Sequence, residues 1–324
     1  MTALAHSPSS LAWRLALTAV IVRVAYAALV QSYSVFGLPQ SDLLREMYSQ
    51  PQFLLPLLTT IAASTVFTGL TVWSVMHRWL RQHNTQAVDE PRKLFGTFIA
   101  LLLLYSLIVS AASAYLSNVM MQYVMERAGG VGHFIAMGLL IRALTIVLEI
   151  LGAYVVVRIA IWTVQPAGPA GAPAYEQRHA AWSSGLTVLG WQLSVSLALG
   201  GYLQMQTLSA GWLEYTLGYL ALPAIILVLC TQICLKILPR PIGAARQARA
   251  VAHGTLTFWL AQVLGVGMGF LAVRAMSLGQ LMRIAQSNLT TAATLLVYAA
   301  LLALGCLIGK LVFYTPSTKP ASAH

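Results

Sequence analysis

The chain has 324 residues, of which 58% are hydrophobic and only 8% are Asp, Glu, Lys or Arg, with a mean hydropathy of +0.75. A soluble domain carries about 25% charged residues to wet its surface, so this composition excludes a water-soluble globular protein and leaves an integral membrane protein. The net charge of +11 does not point to nucleic acid, because the basic residues sit in short connections between apolar runs rather than on one solvated face.

A membrane-spanning helix needs about 20 mostly apolar residues. Eight stretches qualify, at 11–36, 53–76, 95–117, 133–162, 184–206, 213–236, 254–276 and 289–313. No barrel-like alternation is present, and an open sheet cannot survive in lipid. The expected fold is an all-α polytopic membrane protein with eight transmembrane helices.

In the first stretch Arg23 shares a helical face with Ala12, Ala16, Ala19, Ala27 and Ser34. Small residues let another backbone approach, so Ala16, Ala19 and Ala27 are expected to pack against a neighbouring helix. Arg14, the apolar run Leu15–Val22 and Ala25-Tyr26-Ala27 follow the order of a signal peptide within residues 1–27. Arg23 interrupts that pattern and apolar residues continue to Val30, which favours a retained span. In the second stretch Pro56 falls in the first helical turn, where proline is tolerated.

The fourth stretch carries Arg142 and Glu149. Their seven-residue separation returns to within about 20° of one face. Next comes Gln165-Pro166-Ala167-Gly168-Pro169-Ala170-Gly171-Ala172-Pro173, which cannot be helix and reads as a linker. It divides the chain into four-span halves at 1–164 and 175–324, joined by 165–174. Ser9-Ser10 is echoed by Ser183-Ser184, and Leu54-Leu55-Pro56 by Ala221-Leu222-Pro223, as two parallel copies would be.

Pro223 is expected to kink the sixth span. Cys230, Cys234 and Cys306 lie in apolar runs and read as small hydrophobes. Arg246, Arg249 and His253 read as an anchor to anionic headgroups. Gly265 and Gly269 form a small-xxx-small pair for helix packing.

Thirteen of the nineteen Lys and Arg residues fall in one alternating set of connections and flanks, against four (Arg45, Arg127, Arg274, Arg283) in the other; Arg23 and Arg142 lie within spans. The positive-inside rule then places both termini in the cytoplasm and the chain in the inner (plasma) membrane.

Function starts from the charges inside the spans. A charge at mid-bilayer costs about 2.5–3.5 kcal/mol on insertion scales, so it persists when paired or hydrated. Arg23 lies about 18 Å along the first helix from its cytoplasmic start, and Glu149 about 20 Å from the cytoplasmic end of the fourth. These matching depths predict an Arg23–Glu149 ion pair, with Arg142 about 10 Å further out and lacking an acidic partner. Gln192, Gln204, Gln232 and Gln262 are candidate cavity-lining residues.

The expected function is a permease moving a small solute, ion or amphiphile through a cavity between the two helical halves. Glu149 would be its protonatable group and Arg142 its contact for an anionic group. The competing expectation is a non-catalytic subunit that anchors or lines a larger membrane assembly, with other membrane proteins or a second copy as partners beside the bilayer. No phosphate loop, His-Glu-x-x-His, Gly-x-Ser-x-Gly or Asp-rich metal motif occurs, so no enzyme, cofactor, metal or nucleic-acid partner is expected.

Overall fold

The computed structural model describes residues 11–37, 41–126, 131–168, 171, 173, 175–204, 212–240, 242, 247–277, 280 and 288–314. Among these residues the chain is 89% helical and forms no strand. The helices are α1 (Leu11–Phe36), α2 (Ser41–Tyr48), α3 (Pro51–Gln82), α4 (Pro91–Glu126), α5 (Val131–Trp162), α6 (Gln177–Gln204) and α7 (Trp212–Thr216), then a π-helical turn (Leu217–Ala221), α8 (Leu222–Ile237), α9 (Gln247–Ala275) and α10 (Asn288–Tyr314).

Among the described residues seven segments are long and apolar enough to cross a membrane: Leu11–Phe36, Phe53–Gln82, Pro91–Leu116, Leu140–Trp162, Leu217–Ile237, Gln247–Ala275 and Ala292–Tyr314. The chain is a multi-pass helical membrane protein. The stretch expected at 184–206 is not among the seven. It runs along α6, whose side chains beyond residue 195 lie outside the described set. Residues 177–195 include Gln177, Arg178, His179, Ser183, Ser184 and Gln192 and are too polar to qualify.

Pro56 lies further inside its helix than the sequence suggests, and Pro223 follows a local change of helix type. Pro51 occupies the first helical position of α3, after Gln50 in extended conformation. The helix therefore begins early enough to place Pro56 inside it, one turn beyond its start. Thr59 and Thr60 donate their hydroxyls to the Pro56 carbonyl, at 3.0 and 2.8 Å. Before Pro223 the distortion takes the form of the π turn, in which the Leu222 N–H bonds to the Leu217 carbonyl five residues back. Proline lacks an N–H and its ring crowds the carbonyl four residues earlier, so a widened register accommodates it.

The proline-rich connection begins tied down. Asp89 N–H donates to the Gln165 carbonyl at 3.2 Å and Ala167 N–H to the Ala87 carbonyl at 3.2 Å. Thr85 adds a hydroxyl bond to the Ala167 carbonyl at 2.7 Å. Asn84, just past the end of α3, has φ 49°, a left-handed conformation that asparagine accepts more readily than most residues.

The chain forms two compact units, one of Met1–Ala174 with Gln192–Leu222, the other of Tyr175–Trp191 with Pro223–His324. In the first, α1 lies against α3 and α4, and α5 packs on the same two helices. Ala12, Leu15, Ala16 and Ala19 of α1 are at most 4% exposed. A Cβ at Gly69 of α3 would approach Val20 of α1 to 3.2 Å, so the two helices run close. Leu29, Leu107, Ile108, Leu151 and Val155 face outward, as contact with acyl chains requires.

In the second unit α9 packs along α10. His253 is fully buried while Arg249 is exposed, which corrects the expectation that both face headgroups. The two lie one turn apart on nearly the same side of α9, since four residues advance 400°, and burial rises from Arg249 near the start of the helix to His253 deeper along it. Arg246 lies outside the described residues. Gly265 comes within reach of Leu301, 3.8 Å from a notional Cβ, whereas Gly269 has no neighbour within 4 Å.

The α9–α10 contact sets a stability test. A Cβ at Gly305 would lie 2.8 Å from the Thr257 carbonyl oxygen, while one at Gly267 meets nothing. Gly305→Ala is expected to destabilise the purified protein by about 1–3 kcal/mol through overpacking. Gly267→Ala should leave it unchanged or slightly firmer, read by thermal unfolding in detergent.

Candidate functional site

Four helices of the first unit bring polar side chains to one level. α1 presents Arg23, α3 presents Ser64, α4 presents Tyr105, Ser106 and Ser110, and α5 presents Glu149. The alanine face of α1 permits the approach, since bulkier residues at 16 and 19 would hold α3 away.

The structure brings Arg23 and Glu149 together. Arg23 Nη2 donates to Glu149 Oε1 at 3.0 Å, with side chains 12% and 6% exposed. Ser64 ties the pair from the side: it accepts from Arg23 Nη2 and donates to Glu149 Oε1 at 2.7 Å. Arg23 Nη1 donates to Ser106 Oγ at 3.1 Å. Glu149 Oε1 thus takes two donors, while its second oxygen, Oε2, is buried without a hydrogen-bond partner among the described residues.

Tyr105 frames the carboxylate from behind. Its hydroxyl donates to the Leu148 carbonyl at 2.5 Å, and a Cβ at Gly152 would overlap its ring. Glycine at 152 is what lets α4 lay an aromatic ring across α5 one turn from Glu149.

Arg142, two turns along α5, stays outside the pair. Its Nε and Nη2 are buried and have no hydrogen-bond partner among the described residues, and Glu149 is the anionic group that acts on it. The pair itself opens onto a cleft of about 180 Å³ lined by Arg23, Tyr26, Gln31, Thr60, Ser64, Thr65, Ser110 and Glu149, with Ala27, Val30 and Ile61. That space is large enough for several waters. Tyr26 bridges α1 to α4 by donating to Ser110 Oγ at 3.2 Å.

The four glutamines lie elsewhere or beyond description. Gln192 is half-buried and does not line this cleft. The Gln204 side chain is outside the described set. Gln232 is exposed on α8, and Gln262 in the second unit donates to Tyr298 Oη at 2.7 Å. Ala27 lines the cleft, and Ala16 and Ala19 are buried in the α1 seam. Sequence reasoning missed Ser64, Ser106 and Tyr105. Their one visible signal was a hydroxyl in an apolar span, which many serines and threonines share when they bond their own helix, as Ser74 does to the Leu70 carbonyl at 2.5 Å.

Removing one partner of a buried pair leaves an uncompensated charge, which costs about 3–5 kcal/mol. Arg23→Met should lower the unfolding free energy in detergent by that order. Adding Glu149→Gln should recover most of the loss. Equal damage from the single and double variants would mean the two side chains do not act as a pair.

No family model matches the chain, and no curated protein or solved structure shows significant similarity to it.

Proposed function

We propose that the chain is a permease of the inner (plasma) membrane that moves a small anionic solute or amphiphile together with a proton. In this reading α6 makes an eighth crossing, both termini face the cytoplasm, and no cofactor takes part. The observation that carries it is the half-satisfied carboxylate: Glu149 Oε1 is held by Arg23 and Ser64, while Oε2 is buried without a hydrogen-bond partner among the described residues, in a residue that borders the cleft. The cleft lies within the first unit, among α1, α3, α4 and α5, rather than between the two sequence halves.

A proton arriving through the cleft binds Oε2 and neutralises Glu149. Arg23 then has no counter-charge and attracts an anion into the cleft, and Arg142, two turns along α5 and outside the cleft lining, is the next cationic group the anion meets. Loss of the proton restores the Arg23–Glu149 pair and displaces the anion. Buried carboxylates serve in proton relays on these grounds.

Proteoliposomes containing an internal pH dye, challenged with inorganic phosphate and a panel of small carboxylates, test the reading. At least one anion should drive proton entry, and Glu149→Gln should reduce that flux by roughly tenfold or more, as loss of a proton-transfer group does. A Glu149→Gln protein that is monodisperse and transports like the wild type would remove the proposal.

A second reading, a subunit of a larger membrane assembly, has its own observation. α9 presents Gly267 and Gly269 to open space, a small-residue surface suited to another helix. Gly269→Leu should then abolish a specific association in mild detergent. Association unaffected by that change would leave the permease reading alone.

A further inference from the structure

The second unit gathers sulfur where the first gathers charge. α8 carries Cys230 and Cys234 one turn apart, α9 carries His253, and α10 carries Cys306. All four are at most 1% exposed, and the cysteines are free thiols. Cys234 Sγ and Cys306 Sγ lie 3.9 Å apart. These two sulfurs and a ring nitrogen of His253 all lie within 4.8 Å of one another. Packing explains a buried cysteine taken singly. It does not explain why three helices deliver sulfurs and an imidazole to one point.

We propose that Cys234, Cys306 and His253 form a binding site for a zinc ion. Zinc binds thiolate at about 2.3 Å and imidazole at about 2.0–2.1 Å in tetrahedral geometry, which places two ligand sulfurs about 3.8 Å from each other. The observed sulfur separation needs almost no adjustment. Cys230, which hydrogen-bonds Cys306, and Thr257, whose Oγ1 is 4.0 Å from Cys306 Sγ, border the position of the fourth ligand.

Charge selects the ion. Binding forms two Zn–S bonds and one Zn–N bond and releases two thiol protons to water, so two thiolates, a neutral imidazole and a divalent ion carry no net charge. A dry interior demands that neutrality. A monovalent soft ion in the same site leaves one negative charge buried.

The surroundings have the outer-shell partners that orient a ligating histidine. Ser184 Oγ is 3.3 Å from His253 Nδ1 and also donates to the Ala250 carbonyl at 2.9 Å. His253 Nε2 lies 2.9 Å from the Cys306 carbonyl oxygen. Whichever ring nitrogen takes the ion, the other keeps a partner. Glycine at 309 is required, because a Cβ there would overlap the imidazole. The entry path is short. Cys234 is three residues from the end of α8, His253 six from the start of α9 and Cys306 eight from the end of α10, distances of about 12 Å or less along each helix.

The full-length protein, purified in mild detergent from zinc-containing medium, should carry about one zinc per chain by elemental mass spectrometry. Cys234→Ala/Cys306→Ala should lower that content by roughly tenfold or more. Should this double variant fail to fold, the wild type still decides. After chelator stripping it should take up Co²⁺ with a sulfur-to-cobalt charge-transfer band and the intense visible bands of a tetrahedral ion. Absence of both zinc and these cobalt bands overturns the site. Zinc retained in the double variant overturns the ligand set, and copper in place of zinc overturns the divalent assignment.

Discussion

Burying Arg23 beside Glu149 takes two full charges out of water, at several kcal/mol per ion, and their attraction offsets that only when the remaining donors and acceptors are also satisfied. The first unit is arranged around this requirement. Ser64 from α3 and Ser106 from α4 supply the two extra contacts the guanidinium needs, so three helices besides α1 must arrive at one height. Helices that slide by one turn, about 5.4 Å, lose every one of these bonds together. The ion pair therefore fixes register in a fold whose largely apolar outer faces offer lipid little reason to prefer one register over another.

Close approach is the second condition, and small residues meet it. Ala12, Ala16 and Ala19 thin the face of α1, Gly69 thins α3, and Gly152 admits the ring of Tyr105 over α5. In lipid the hydrophobic effect does not drive helices together, so packing and interhelical hydrogen bonds must do so. The same solution recurs in the second unit, where Gly305 and Gly309 receive Thr257 and His253. The polar groups and the glycines are two halves of one device, since neither the charge pair nor the histidine is buried unless a neighbouring backbone can come near.

Much of the architecture was legible in the sequence because the apolar runs are long and the charges few. Arg23 and Glu149 fell at matching depths by counting helical rise from opposite ends of two helices, and nothing beyond 1.5 Å per residue was needed. The serines were not legible, because Ser64 and Ser106 look no different from Thr71, which spends its hydroxyl on the Phe67 carbonyl of its own helix at 2.8 Å. The sulfur cluster was invisible for another reason. Cys234 and Cys306 are 72 residues apart, on helices whose adjacency is a tertiary fact that no periodicity encodes. Gln232 shows the opposite failure: a polar residue in an apolar span suggests a cavity, yet it faces outward on α8, on the side away from Cys230 and Cys234. The π turn before Pro223 was not legible either; shifting a few bonds to five-residue spacing keeps the carbonyls paired, which matters most where no water is present to receive them.

Charge counting carries the synthesis one step further. Arg23 on α1 and Arg142 and Glu149 on α5 lie deep in their spans, which leaves one positive charge in excess among the three. Arg23 is matched by Glu149, whereas the Nε and Nη2 of Arg142 are buried without hydrogen-bond partners among the described residues. In a medium of low dielectric that surplus must be hydrated or met by an anion. Protonating Glu149 raises the surplus by one more charge, and an arriving monoanion returns it to its starting value. In the proposed transport cycle proton and anion stabilise each other through a shared electrostatic deficit, and that coupling needs no direct contact between them. What sets its strength is how completely α1, α3, α4 and α5 keep other counter-ions out.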